Sequence, residues 1–132
     1  MTVNARDIFR DAAIVYGVTF VTGLAMAVLG IHLQGSPSTV YMGNLFSGAL
    51  GFTVAALRSP NNRTEHLAWV AATVWIFNLA HIAMGIQTSA SWIRSGFTLI
   101  FMAALGGTLA MILTLMSSSP RRTAAGRKEG PA

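Results

Sequence analysis

The sequence predicts an all-α integral membrane protein with four transmembrane helices arranged as two tandem helical hairpins. Hydrophobic residues make up 53% of the 132 residues and charged residues only 10%, whereas about a quarter of a soluble domain is charged. The mean hydropathy is +0.57. Four stretches without Asp, Glu, Lys or Arg are each long enough to cross a bilayer as one helix. The excess of apolar surface therefore has to face lipid.

The four predicted spans follow one another with short polar connections. They cover residues 12–33, 40–57, 67–87 and 95–116. The first apolar stretch is longer than the 7–15 residues of a signal-peptide core, so we read it as an uncleaved anchor. Residues 1–119 then form one four-helix transmembrane domain. Residues 120–132 lack apolar periodicity and are predicted to be a basic disordered tail.

Positive charges are distributed unevenly between the two sides of the predicted bundle. Eight of the nine Lys and Arg residues fall on one side, and only Arg94 falls on the other. Basic residues mark the cytoplasmic side of membrane proteins, so both termini are predicted to be cytoplasmic. We expect the chain to be an integral protein of a bacterial inner or plasma membrane. The eight residues are Arg6, Arg10, Arg58, Arg63, Arg121, Arg122, Arg127 and Lys128.

The two halves of the chain resemble each other at a fixed offset. Sliding the sequence against itself by 55 residues pairs 11–57 with 66–112 and matches 13 of 47 positions without a gap. The biased composition alone would match roughly a tenth, so the excess suggests duplication of a two-helix unit. The competing explanation is that any two spans rich in Ala, Gly and Leu resemble each other.

Small residues recur at helical spacing in the second and fourth spans. Such stripes let a neighbouring helix approach closely, so these two spans are predicted to carry packing faces and to meet other membrane subunits. The stripe positions are Gly43, Ser47, Gly51 and Ala55 in the second span, and Ala103, Gly106, Gly107 and Ala110 in the fourth.

His81 and Asn78 are the candidate site residues, because they lie three positions apart inside the third span and share a helix face. An imidazole can ligate haem or a chlorin, accept a proton or hydrogen-bond a quinone carbonyl. The simpler interpretation is that both side chains form hydrogen bonds between helices. His32 lies at the outer boundary, roughly 9 Å from the depth of His81, so a haem held by both is disfavoured.

Several classes of function are disfavoured by the residues present. The chain has no cysteine, which leaves no thiolate nucleophile or thiolate metal site. The predicted spans carry no central carboxylate, which weighs against paired-carboxylate catalysis and proton-coupled transport. We therefore expect neither an enzyme nor a metal site. The basic residues lie at span ends and in the tail, so nucleic acid is not an expected partner.

The sequence favours a small non-catalytic accessory or structural subunit of a larger membrane protein complex. Two alternatives stay open: a homo-oligomeric channel or transporter, and a subunit that binds chlorin, haem or quinone through His81. The expected partners are the bilayer and other membrane subunits. The basic tail is expected to meet anionic lipid or an acidic protein surface through Arg121, Arg122, Arg127 and Lys128.

Overall fold

In a computed structural model of the chain, the structure describes residues 4–30 and 37–118, and these are helical apart from short turns. Within these ranges four helical spans are long and apolar enough to cross a membrane. We number the helices α1 Ala5–Val28, α2 Pro37–Arg58, α3 Arg63–Phe77, α4 Leu79–Ala83 and α5 Ser89–Ser118. The third span consists of α3 and α4 together.

Three of the differences between the observed and the predicted helices bear on the site. α1 begins at Ala5, seven residues before the predicted span, because Asn4 caps it and accepts a hydrogen bond from the Arg6 amide at 3.1 Å. α5 begins at Ser89, so the predicted loop 88–94 is almost entirely helical. The third span is not one helix, since it is interrupted at Asn78.

Glycines end two of the helices at equivalent places in the chain. Gly30 follows α1 with φ 70°, and Gly85 follows α4 with φ 71°. This left-handed conformation strains other residues but not glycine, which explains why the helices stop there. The two glycines are 55 residues apart, the offset of the sequence repeat. The repeat itself stays a prediction.

The helices pack in the cyclic order α1, α2, α5, α3, with the most extensive interface between α2 and α5. The α2 and α5 backbones come close at Gly106, where an added Cβ would lie 2.7 Å from the Ala49 carbonyl oxygen. α1 packs on α2 where Gly51 faces Val15. The core between the helices is apolar and contains the fully buried side chains of Val15, Phe52 and Val70.

Contacts between helix ends show that the helices alternate in direction. The start of α1 and the end of α2 meet where Arg10 and Arg58 both contact Asp11. The start of α3 and the last turns of α5 meet where Arg63 contacts Thr114. Four helix ends thus gather at one end of the bundle, which we call the arginine end. The opposite end, where Trp75 stacks on Trp92, is called the tryptophan end.

Candidate functional site

The most concentrated polar site in the described residues surrounds Asp11 at the arginine end. Its Oδ1 accepts hydrogen bonds from Arg10 Nε at 2.9 Å and from Arg58 Nη1 at 3.1 Å. Its Oδ2 lies 2.9 Å from His66 Nε2. A carboxylate can only accept, so Nε2 of His66 carries the shared hydrogen. One carboxylate therefore joins α1, α2 and α3.

Burial distinguishes the two kinds of partner that Asp11 has. The side chains of Asp11 and His66 are 1% and 2% exposed, whereas those of Arg10 and Arg58 are 50% and 44% exposed. Asp11 and His66 thus form the buried centre, and the arginines reach it from the surface. Buried charge is tolerated only when it is paired and hydrogen-bonded, and both conditions hold here.

The sequence did not indicate this cluster, because Asp11 lies just before the first predicted span and His66 just before the third. One signal was present. Asp11 and His66 are the first of the 47 pairs in the alignment at an offset of 55 residues, so two positions that this alignment pairs contact each other directly. The alignment scored only identical residues, and an acid paired with a histidine contributes nothing to such a score.

A polar cavity of about 670 Å³ opens beside the Asp11 cluster. It is lined by the start of α1 and by the turn between α2 and α3, including Asn4, Asp7, Asn61 and Asn62. Asp7 also pairs with Arg10 at 3.0 Å. The lining contains two arginines and two aspartates, and all four belong to the ion pairs of the Asp11 cluster.

His81, a predicted site residue, lies on α4 and contacts α1. Its Nε2 is 3.0 Å from the Tyr16 hydroxyl, and the two rings stack with centroids 5.8 Å apart. Phe77 meets the Tyr16 ring edge-on at 5.9 Å. A haem or chlorin bound through Nε2 would have to displace Tyr16, whereas a quinone could share the pair as hydrogen-bond partners.

Asn78 separates α3 from α4. Its backbone N–H donates to the Val74 backbone carbonyl at 3.0 Å, and its backbone carbonyl accepts from the His81 backbone N–H at 3.1 Å. Both the helix before Asn78 and the helix after it therefore remain hydrogen-bonded at this residue. The third span is therefore interrupted at Asn78 but keeps its direction, and the common face predicted for Asn78 and His81 stays a prediction.

A pair of tryptophans links α3 to α5 at the tryptophan end. The rings of Trp75 and Trp92 stack 4.2 Å apart with an angle of 6°. Each indole N–H donates to the other residue's backbone carbonyl at 3.0 Å. An added Cβ at Gly96 would lie 3.2 Å from Trp75 Nε1, which is why a glycine suits this site. Nothing in the sequence pairs Trp92 with Trp75, because the two residues belong to different predicted spans or connections.

The predicted packing residues of α2 contact other helices of the same chain. Gly43 faces the Met26 side chain, and an added Cβ at Gly51 would lie 3.1 Å from the Val15 backbone. Ser47 and Ala55 are buried. This stripe therefore packs inside the bundle, and a partner protein would have to use another surface.

The predicted packing residues of α5 also contact the chain's own helices. Gly106 approaches the α2 backbone, and an added Cβ at Gly107 would lie 3.1 Å from the Leu67 side chain on α3. Ala103 packs against the core and Ala110 is fully buried. The tail residues Arg121, Arg122, Arg127 and Lys128 lie outside the described residues.

Comparison of the chain with protein-family models, with curated proteins and with solved structures finds no match.

Proposed function

We propose that this protein is a small non-catalytic accessory subunit of a larger membrane protein complex, with both termini on the cytoplasmic side of a bacterial inner or plasma membrane. The topology is supported by the gathering of Arg10, Arg58 and Arg63 at one end of the bundle, while Arg94 lies near the start of α5.

The observation that carries the proposal is that α1 is buried only in its first half, although Tyr16 and Met26 in the second half still contact His81 and Gly43. Its buried residues are Asp11, Ala12 and Val15, and no residue from 16 to 28 is buried. An added Cβ at Gly17 or Gly23 would meet no atom within 4 Å. In membranes small residues favour contact with another helix, so this half of α1 suits a transmembrane helix of a partner polypeptide.

The arrangement of polar groups supports a scaffold more than a carrier. The Asp11–His66 pair and the Tyr16–His81 pair both lie between α1 and the third span. The nearly fully buried side chains of Val15, Val70 and Val74 lie on these same helices. A carrier or pore needs polar groups that converge along a path through the membrane. In the described part of the chain, the buried polar side chains instead have hydrogen-bond partners already.

The test places a photocrosslinking amino acid at Gly23 in the full-length protein within native membranes. We expect it to capture a polypeptide different from this chain, identified by mass spectrometry. The same probe at Phe46, an exposed side chain of α2, is the matched control and should capture none. Gly23→Leu should abolish co-purification of that polypeptide, whereas Ala13→Leu, at an exposed alanine of α1, should preserve it.

A second measurement separates the accessory subunit from a self-sufficient transporter. The purified chain reconstituted alone in liposomes should show no selective ion or solute flux above empty vesicles. Selective flux that is abolished by His81→Ala or Asn78→Ala, with only self-crosslinks from Gly23, would contradict the proposal. That result would favour the homo-oligomeric channel or transporter.

The contact between Tyr16 and His81 favours a second candidate, a subunit that binds a quinone through these two side chains, whereas a chlorin would require Tyr16 to move away from His81 Nε2. Both side chains are half-buried, and the aromatic rings of Phe20 and Phe77 lie beside Tyr16. A gently purified sample that carries a visible absorption band or an extractable quinone, lost in His81→Leu, would support this candidate. A clear sample with co-purifying polypeptides supports the accessory subunit.

A further inference from the structure

An apolar slot lies between α3 and α5 on the outer surface of the bundle. It has a volume of about 880 Å³. Small residues of both helices line it, and an added Cβ at Gly107 on α5 would lie 3.1 Å from the Leu67 side chain on α3. We call the small-residue part of the lining the floor of the slot. The floor includes Ala68, Ala71, Ala72, Ala104 and Gly107, and the larger side chains of the lining include Phe97 and Ile100.

The two ends of this α3–α5 slot differ in chemistry. Trp75, which stacks on Trp92, lines it toward the tryptophan end. Arg63 and Thr64 line it at the arginine end. From Arg63 to Trp75 the α3 wall covers twelve residues, or about 18 Å at 1.5 Å per residue. A transmembrane helix of a partner protein would have to cross the whole hydrocarbon core of roughly 30 Å, so the slot is too short to hold one along its full length.

Arg63 is the charged group at the slot that lacks a counter-charge. Its Nε donates to the Ala56 carbonyl at 3.3 Å and its Nη2 to Thr114 Oγ1 at 3.4 Å. Both acceptors are neutral, and Arg63 makes no ion pair with any described residue. A guanidinium has five N–H donors, so three of them are left for a ligand. By contrast, Arg10 and Arg58 are both paired with Asp11.

We propose that the α3–α5 slot binds one anionic phospholipid from the leaflet at the arginine end. One of its acyl chains lies along the alanine and glycine floor, and its phosphate group accepts hydrogen bonds from Arg63. A guanidinium binds phosphate oxygens with good geometry, and the negative charge of the lipid provides the missing counter-charge. The flexible chain fits an irregular apolar surface that stops at the tryptophans.

Trp75 provides a direct optical test, because a brominated acyl chain in the slot would quench its fluorescence. Trp69→Phe is used as the background, since Trp69 is exposed elsewhere on α3. The full chain is placed in phosphatidylcholine vesicles with equal small fractions of brominated phosphatidylglycerol or brominated phosphatidylcholine. We expect the anionic lipid to bind about fivefold more strongly, since one cation near an anionic surface contributes about 1 kcal/mol.

Two variants test the two parts of the site separately. Ala104→Phe fills the floor and should remove the excess quenching, whereas Ala13→Phe places the same side chain at an exposed alanine of α1 and should leave the excess unchanged. Arg63→Gln removes the positive charge. In this variant, brominated phosphatidylglycerol should quench no more strongly than brominated phosphatidylcholine. Equal quenching by both lipids in the parent, or an excess that survives Ala104→Phe, would overturn the proposal.

A cysteine at the slot distinguishes lipid from protein as the occupant. The chain has no cysteine of its own, so Ala104→Cys introduces a single thiol. In native membranes we expect this thiol to form no disulfide-linked dimer and to react with a lipid-soluble maleimide. A self-crosslinked dimer would show that a second copy occupies the slot and would overturn the lipid proposal. This outcome is separate from the crosslinks at Gly23 that test the accessory role.

Discussion

The two ends of the bundle are held together by different chemistry. At the arginine end, a nearly inaccessible carboxylate binds a histidine and two arginines, and it joins three helices. At the tryptophan end, two indoles stack and exchange neutral hydrogen bonds with backbone carbonyls, and they join two helices. Removing one partner of a buried charged pair leaves an unpaired charge in an apolar medium. Removing a neutral hydrogen-bond donor leaves only an unpaired carbonyl, so it lowers the free energy of unfolding by less.

The comparison also explains the position of α1. This helix takes part in the charged cluster through Asp11, whereas the stacked tryptophans belong to α3 and α5. Beyond Val15, α1 shares a hydrogen bond between Tyr16 and His81 with the third span. The arginine end therefore holds the buried first half of α1, and no residue of its second half is buried.

The largest expected effect is at Asp11. Asp11→Asn keeps the shape of the side chain but removes the charge that His66, Arg10 and Arg58 share. Breaking a buried pair by removing one partner costs about 3 kcal/mol or more. The free energy of unfolding, measured by circular dichroism during titration with a denaturing detergent, should fall by about that amount.

Asp7→Asn is the matched control for this change. Asp7 pairs with Arg10 at 3.0 Å, but its side chain is 43% exposed. Exposed ion pairs contribute about 1 kcal/mol or less. Equal losses from Asp7→Asn and Asp11→Asn would show that burial does not strengthen the arginine end, and the comparison between the two ends would fail.

The second largest effect is expected at Gly106, which lies between the two ends on the α2–α5 interface. A Cβ there would lie 2.6 Å from Phe52 Cβ and 2.8 Å from the Thr53 amide nitrogen. The backbone cannot move aside as a flexible side chain can, so Gly106→Ala should separate α2 from α5. Overpacking of this kind costs about 2 kcal/mol.

Gly17→Ala is the control, because an added Cβ at Gly17 meets no atom within 4 Å. It should leave the free energy of unfolding unchanged or raise it slightly, since alanine favours a helix more than glycine does. If Gly106→Ala and Gly17→Ala change the free energy of unfolding equally, the close approach of α2 and α5 does not stabilise the bundle between its two ends.

The fold class could be predicted from the sequence because lipid imposes a simple rule on composition and length. Four apolar stretches of the right length correspond to the four helical spans observed. Residues 5–11 were not predicted as helix because they are polar, and hydropathy does not detect the cap that Asn4 provides. The interruption at Asn78 was missed for the opposite reason, since the surrounding residues are apolar enough for one continuous helix.

The site was harder to predict, because its contacts join residues that are far apart in the chain. Asp11 and His66 are 55 residues apart, and nothing in either local sequence indicates that both are buried. His81 was identified because a polar residue stands out within an apolar span. His66 lies at a helix start beside charged residues, where a histidine is unremarkable, so its burial had to come from the packing of α1 on α3.

The tryptophan pair should contribute less than the charged cluster. Trp92→Phe keeps an aromatic ring for stacking and removes the donor to the Trp75 carbonyl. One neutral hydrogen bond contributes about 1 kcal/mol, and we expect a loss of this size in the free energy of unfolding. The near-ultraviolet dichroism of the stacked indoles should disappear. A loss of about 3 kcal/mol, as expected for Asp11→Asn, would show that the two ends stabilise the bundle equally.

The smallest effect is expected at Tyr16, whose hydroxyl lies 3.0 Å from His81 Nε2. Tyr16→Phe keeps the ring, which stacks on His81 and meets Phe77 edge-on, and removes only this hydrogen bond. Hydrogen bonds between helices in a membrane contribute about 0.6 kcal/mol on average, so unfolding should become easier by about that amount.

The control for Tyr16→Phe is Tyr41→Phe, which removes an exposed hydroxyl on α2 and should change nothing. The same variant separates the two interpretations of His81. If the histidine only holds α1 to the bundle, Tyr16→Phe weakens that contact, and a cysteine at Thr19 should react faster with an aqueous or lipid-soluble maleimide. If His81 Nε2 instead ligates a pigment, removing its hydrogen-bond partner should strengthen pigment binding and increase the absorption of the purified protein. A faster reaction at Thr19 without a new absorption band would mean that His81 serves the packing of α1, as His66 does at the arginine end with a stronger, charged partner.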